Sequence, residues 1–345
     1  MSHGSIGRWV WRTASVLSGI EAQARGLAAR GPFEPTRFVW SRGFALMCDH
    51  NGGMTFVRRQ RGSRPALRFP ADAYDRVRDG DLVWVRLVAL PQFLEEALPR
   101  IRARFALVTG DEDWAIPSGF EGSAALLDSP KVACWFTQNL DDTGRHPKLF
   151  HLPIGLDFHT ISNGRKWGHE QASPAEQEAE LEAIRRQAPP NAERLLRVHA
   201  DFHFNKHKRQ VWGDKRQDVE ALLHANPLVD FQPHKVPRTG LWLEKTRYAF
   251  IASPHGNGLD CHRTWESLLL GNIPIVKRSS LDPLYEGLPV VIVDDWNEIT
   301  RENLARWQAQ HSSSFGRPEV EERLTAAWWI DRMRRTVADK IAQGG

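Results

Sequence analysis

Cysteine is scarce in this chain of 345 residues: Cys48, Cys134 and Cys261 are the three present, far apart and odd in number. That excludes a disulfide framework, and none of the spacings suits a zinc site. Long apolar runs are missing too. No stretch approaches the 18 or more residues that span a bilayer, and the segment from Gly7 to Ala22 is broken by Arg8, Arg12 and serines too early for the apolar region of a signal peptide. There is no internal repeat and no low-complexity tract. An excess of either charge is also lacking: 46 Lys and Arg against 42 Asp and Glu leave a formal net charge of +4. Such a balance is compatible with an anionic ligand and weaker than a dedicated nucleic-acid binder shows. These absences lead to the expectation of a cytoplasmic protein without a transmembrane segment, with at most a peripheral membrane contact, and with no nucleic-acid partner.

What is present is a globular composition, 41% hydrophobic and 26% charged, long enough for two domains. Tryptophan is abundant at 14 residues, and its aromatic face serves both apolar cores and the stacking of sugar rings. The first 65 residues are hard to read beyond an amphipathic helix over Ile6 to Ala28. After them apolar runs and helical periods alternate, with strands at Asp81 to Leu87, Phe105 to Thr109, Val132 to Phe136 and Leu149 to Ile154. The spacing predicts a helix over Leu90 to Arg102 and a short one over Ser123 to Asp128. Ser173 followed by Pro174 and Glu176 is a helix start, and Pro189-Pro190 ends that helix. Beyond it come strands at Leu195 to Val198, Leu228 to Phe231, Ala249 to Ser253, Ile273 to Lys277 and Leu288 to Asp294, separated by helices. Such alternation implies parallel sheets. The expected organisation is an α/β protein of two doubly wound, Rossmann-like domains facing a cleft. A first domain (1–165) leads through a helical linker (166–191) to a second domain (192–317), and one final helix from Pro318 to Ala342 crosses back onto the first.

The densest chemical signal is the stretch from Arg247 to Val276, a buried strand, a polar glycine loop, a helix and a second buried strand. Gly256 and Gly258 allow close approach of backbone to a ligand, and the helix that follows presents free amides and a positive dipole end to an anion. Arg263 and Glu266, three residues apart, share a helix face. His255, Asn257, Asp260 and His262 add hydrogen-bonding groups between two apolar strands. Ser253, Pro254, Gly256, Arg263, Glu266 and the turn Gly271-Asn272-Ile273-Pro274 resemble the carboxy-terminal half of exostosin-like glycosyltransferases of GT-B architecture, over roughly residues 195 to 300. The resemblance implies a nucleotide-sugar donor bound in the second domain, Arg263 on its diphosphate and Glu266 on its ribose. It further implies Arg209 as a second cation, His255, Asp260 and His262 around the donor sugar or the loop, and no metal or other cofactor.

The basic segment from Lys206 to Arg216 leaves the carboxyl end of a strand, where an open sheet binds ligands. In the first domain Gly110-Asp111-Glu112-Asp113-Trp114 ends a strand in the same way. Asp113 is the expected general base for a hydroxyl acceptor, carbohydrate or other, although Asp111 and Asp113 have the spacing of a divalent-metal pair. Asp157 and His159 lie two residues apart with no third partner in the sequence, which reads as hydrogen-bonded loop residues rather than metal ligands. Transfer of a sugar to a glycan or polysaccharide is the expected activity. A transferase of a non-sugar group such as a pyruvyl ketal, and a noncatalytic polyanion binder using the basic segment, are the alternatives.

Overall fold

The computed structural model describes residues 36–53, 69–166, 168–202 and 216–343. The helix expected over Ile6 to Ala28 and the cation Arg209 lie outside the described residues. Around the first sheet the chain runs α1 (Ser41–Met47), β1 (Leu82–Arg86), α2 (Leu90–Gln92), β2 (Phe105–Gly110), α3 (Ser123–Asp128), β3 (Val132–Thr137), β4 (Leu149–His151) and α4 (Phe158–Ser162), and α5 (Pro174–Gln187) leads on to the second sheet. Around the second it runs β5 (Leu195–Ala200), α6 (Arg216–His224), β6 (Val229–Phe231), α7 (Arg238–Lys245), β7 (Tyr248–Ala252), α8 (His262–Leu269), β8 (Ile273–Lys277), α9 (Asp282–Tyr285), β9 (Val291–Val293) and α10 (Arg301–His311). Two helices close the chain, α11 (Pro318–Arg323) and α12 (Ala326–Gln343).

Both sheets are wholly parallel, in the orders β1-β2-β3-β4 and β6-β5-β7-β8-β9. The α/β class expected from alternating strands and helices is therefore observed. Alternation along each strand explains how the first sheet is covered on two sides. Leu82, Trp84, Ala106, Val108, Cys134 and Phe136 enter one apolar cluster, while Val83, Val85, Phe105, Leu107 and Trp135 enter another on the opposite face. The first of these clusters also takes in Trp265, Leu268 and Val276 of the second domain and Trp329, Met333 and Val337 of α12. One continuous core thus fuses the two domains. Trp329 is fully buried, and removing a side chain of that size from water contributes about 1.5 to 3 kcal/mol.

Local signals set several boundaries. Ser173 and Glu176 form a reciprocal capping box, with the Glu176 amide donating to Ser173 Oγ at 3.2 Å and the Ser173 amide to Glu176 Oε2 at 2.7 Å. The helix expected over Leu90 to Arg102 is shorter: α2 passes into a single π turn over Phe93–Ala97 and stops, because Pro99 cannot continue the ladder. The single final helix expected from Pro318 to Ala342 is broken in two. Between α11 and α12 the chain is extended enough for Phe38 to bridge Thr325 antiparallel, with the Val39 amide on Leu324 O at 3.0 Å and the Ala326 amide on Arg37 O at 2.9 Å. Pairing with a segment nearly 290 residues away in the chain overrides the helical pattern there.

Candidate functional site

In the second sheet the chain runs from β5 to β6 on one side and returns to β7 on the other, so the reversal of strand order falls between β5 and β7. Open parallel sheets take their ligands beyond the carboxyl ends of the strands at such a reversal. Asp201 directly follows β5, and the glycine loop follows β7. Asp201 forms an ion pair with Arg263 Nε, and its second oxygen lies 2.9 Å from Lys245 Nζ. Lys245 is wholly buried, and Glu266 stands 3.6 Å from its ammonium. Two anions and two cations therefore form one neutral, largely buried group. Burial opposes ionisation of Asp201, but Arg263 and Lys245 outweigh it and hold the carboxyl far below the usual range. Arg263 is thus engaged by Asp201 through Nε and Glu266 is tied to Lys245, where sequence reasoning had left both for a ligand. An acid directly after an apolar strand was the signal for Asp201.

The glycine loop binds its own protein more than expected. Asp260, expected near a donor sugar, is instead a buried latch: its carboxylate accepts from the Ile154 amide at 2.8 Å, Trp265 Nε1 at 2.8 Å, the Cys261 amide at 2.8 Å and Tyr285 OH at 3.2 Å. Burial nevertheless pushes this carboxyl up. Its amide donates to Asn139 Oδ1 at 2.9 Å, so Asp260 ties the second domain to the ends of β3 and β4. Gly258 serves the same junction, because a Cβ there would lie 2.9 Å from the Asn139 side chain. Its lack of a side chain admits Asn139 rather than a ligand. His255 is buried, with Nδ1 2.8 Å from Leu259 O; the Gly256 amide bonds Gly258 O at 3.0 Å, and Asn257 is exposed at the tip of the loop.

A cavity of about 490 Å³ lies beside this junction. Its walls come from the carboxyl edge of the first sheet, with Arg86 at the end of β1, Asp111, Glu112 and Asp113 after β2, and His159 after β4. Arg42 of α1, His262 from the first turn of α8 and the segment that follows α4, with Arg165 and Lys166, also line it. Asp111 takes a left-handed backbone (φ 64°) beside Gly110, where a Cβ would strike the buried Gln138 side chain at 2.4 Å; Gln138 Oε1 accepts the Asp111 amide at 2.9 Å. Asp111 Oδ2 then sits 3.3 Å from Arg42 Nε and 3.2 Å from Arg86 Nε. Burial raises its pKa, but the charges of Arg42, His159 and Arg86 prevail and lower it. Arg86 also pairs with Glu112 at 2.6 Å, yet burial keeps the Glu112 carboxyl above its ordinary value. Asp113 is exposed at the rim and makes no ion pair or hydrogen bond with the described residues. Trp114 beside it is 38% exposed, which is uncommon among the large apolar side chains here.

At the back of the cavity His262, the third partner the sequence did not reveal, joins Asp157 and His159. Its Nδ1 donates to Gly155 O at 2.6 Å. His159 Nδ1 lies 3.0 Å from Asp157 Oδ1, at an angle that is not that of a hydrogen bond. Burial lowers the His159 pKa, partly offset by Asp157 and Asp111. Asp157 caps α4 by accepting the Thr160 amide at 3.0 Å, and its carbonyl accepts Arg238 Nη1 at 3.1 Å. His262 thus faces the first domain rather than the crevice beyond β5 and β7.

No family model matches the chain, and no curated protein does. Among solved structures it is similar to an α,α-trehalose 6-phosphate synthase from Burkholderia multivorans, at 12% identity and a TM-score of 0.35 over 88% of this chain and 84% of that one. A pneumococcal O-GlcNAc transferase, GtfA, in complex with UDP and GlcNAc shares 13% identity with a TM-score of 0.37, over 79% of this chain and 60% of that one. An E. coli trehalose-6-phosphate protein bound with UDP-2-fluoro glucose shares 12% at a TM-score of 0.33, over 90% and 88%. Likeness at this level does not define a family for the chain.

Proposed function

We propose that the protein is a glycosyltransferase of GT-B type that moves a sugar from a nucleotide-activated donor to a hydroxyl acceptor, in the synthesis of a glycan or polysaccharide. The observation that carries this reading is a cavity of about 490 Å³ lined by the carboxyl edge of the first sheet and, from the start of α8, by His262, next in the chain to Arg263. A donor held beyond β5 and β7 would present its diphosphate to α8 and its sugar to the first domain. Asp201 then acts as the positioning group for Arg263. By taking Nε it fixes the guanidinium and leaves the two terminal nitrogens to offset charge on the departing diphosphate. A charged contact of this kind contributes about 2 to 4 kcal/mol to the transition state, a hundredfold or more in rate. Glu266, one-eighth exposed beside Lys245, is assigned to the ribose hydroxyls.

On the acceptor side the three acids after β2 have different environments, and that separates their roles. Asp111 is locked between two arginines and Glu112 is paired with one, whereas Asp113 stands unpaired at the rim and is the group available to take a proton from the acceptor. Trp114 offers an aromatic face to a sugar ring beside it. The test is calorimetry with UDP, GDP, CMP and dTDP on the wild type and on Glu266→Gln. Saturable binding of one nucleotide, weakened in the variant, is the expected result. Binding of none would overturn the donor site and turn attention to transfer of a non-sugar group.

A further inference from the structure

We propose that Asp157, His159 and His262 bind one divalent first-row transition-metal ion at the junction of the two domains. The candidate donor atoms of the three side chains all lie within 4.8 Å of one another. Metal bonds of about 2.1 Å place neighbouring donors roughly 3 to 4 Å apart, so closing around an ion takes a movement of about an ångström. Two imidazoles and one carboxylate are a donor set for zinc, iron, cobalt or manganese rather than for magnesium or calcium.

The surroundings are those of a ligand set held in place by an outer layer. His262 donates Nδ1–H to Gly155 O at 2.6 Å, which fixes the tautomer with its lone pair on Nε2, the arrangement of most metal-binding histidines. Asp157 is anchored at the Thr160 amide through Oδ1 and at Arg238 through its carbonyl. The buried His159 Nδ1 faces Asp157 Oδ1 at 3.0 Å without hydrogen-bond geometry and has no other hydrogen-bond partner among the described residues. Arg42 and the positive end of α8 oppose a cation here, and the carboxylates of Asp157 and Asp111 offset them. His159 and His262 both line the 490 Å³ cavity, which leaves coordination positions open to solvent or a ligand. The site goes beyond the transfer reading and does not rest on it; it departs from the expectation of a metal-free protein.

The test is titration of the chelator-stripped full chain with Co²⁺, followed by visible absorption and calorimetry, with Zn²⁺ as competitor. One Co²⁺ per chain with ligand-field bands, displaced by Zn²⁺ and weakened at least tenfold in both His159→Ala and His262→Ala, is the expected result. The His159 side chain is 26% exposed, so its variant keeps the test valid should His262→Ala misfold. Absence of stoichiometric binding to the wild type, or equal binding to the wild type and a folded His159→Ala, overturns the site.

Discussion

Asp201, the first residue after β5, and Arg263, in the first turn of α8, are joined in a largely buried ion pair across the point where strand order reverses. Removing the cation leaves Asp201 with Lys245 alone. Breaking a buried pair costs about 3 to 5 kcal/mol, and the remaining partner places Arg263→Ala near the lower figure. Urea unfolding should show that loss along with abolished transfer. A variant as stable as the wild type would mean the pair is not buried in solution.

The same pair sets an acid limit on stability. Because Asp201 has a folded pKa depressed below its unfolded value near 3.9, its contribution is present above that pH and is lost as pH falls toward the folded pKa. Each proton taken up only on unfolding steepens the fall by about 1.4 kcal/mol per pH unit. Unfolding free energies measured from pH 5 to pH 2.5 should fall alike in wild type and Asp201→Asn near pH 5, with the slope of the variant becoming shallower below about pH 3.9 by a difference that approaches that amount. Equal slopes in the two proteins would exclude the depressed carboxyl.

Asp113→Asn should lower kcat by about a hundredfold to ten-thousandfold while nucleotide binding is unchanged, since the base acts on the acceptor. Asp111→Asn should behave differently, removing the ionic partner of Arg42 and leaving Arg86 with Glu112 alone, and so lowering stability as well as turnover. Steady-state kinetics combined with thermal unfolding separates the two, and wild-type kcat in Asp113→Asn would remove it from the mechanism.

Trp114→Ala should raise the acceptor KM by up to about tenfold, equivalent to ~1.5 kcal/mol of stacking, with kcat nearly constant. The side chain is already 38% exposed, so the fold should tolerate the change. An unaltered KM for a carbohydrate acceptor would assign the exposed ring to some other contact.

Gly258→Ala places a methyl group 2.9 Å from the Asn139 side chain and so presses on the hydrogen bond from the Asp260 amide. Destabilisation of about 1 to 3 kcal/mol is expected, with Asn139→Ala restoring part of it in the double variant. Strict additivity of the two changes would show that loop and strand end do not press on each other.

Continuous apolar runs and helix punctuation made most strands and several helices readable in the sequence. The core of β8 fell at Ile273–Lys277 as the apolar run indicated, and Ser173 with Glu176 marked the start of α5, because those signals are local. The break between α11 and α12 was not readable, since its cause is Phe38, from the opposite end of the chain. Arg42 was hidden for a similar reason: α1 is a short helix in a segment with little period, and its cation matters only beside Asp111.

By itself, then, the sequence determined the parallel α/β class, the polar loop before α8 and the acids after β2, because each depends on residues adjacent in the chain. Which of those polar groups face a ligand and which face one another was decided by tertiary structure alone. Asp260 became a latch, Arg263 acquired Asp201, and His262 met Asp157 and His159 because burial makes unpartnered charges and donors costly, and the partners lie some 60 to 107 residues away in the chain.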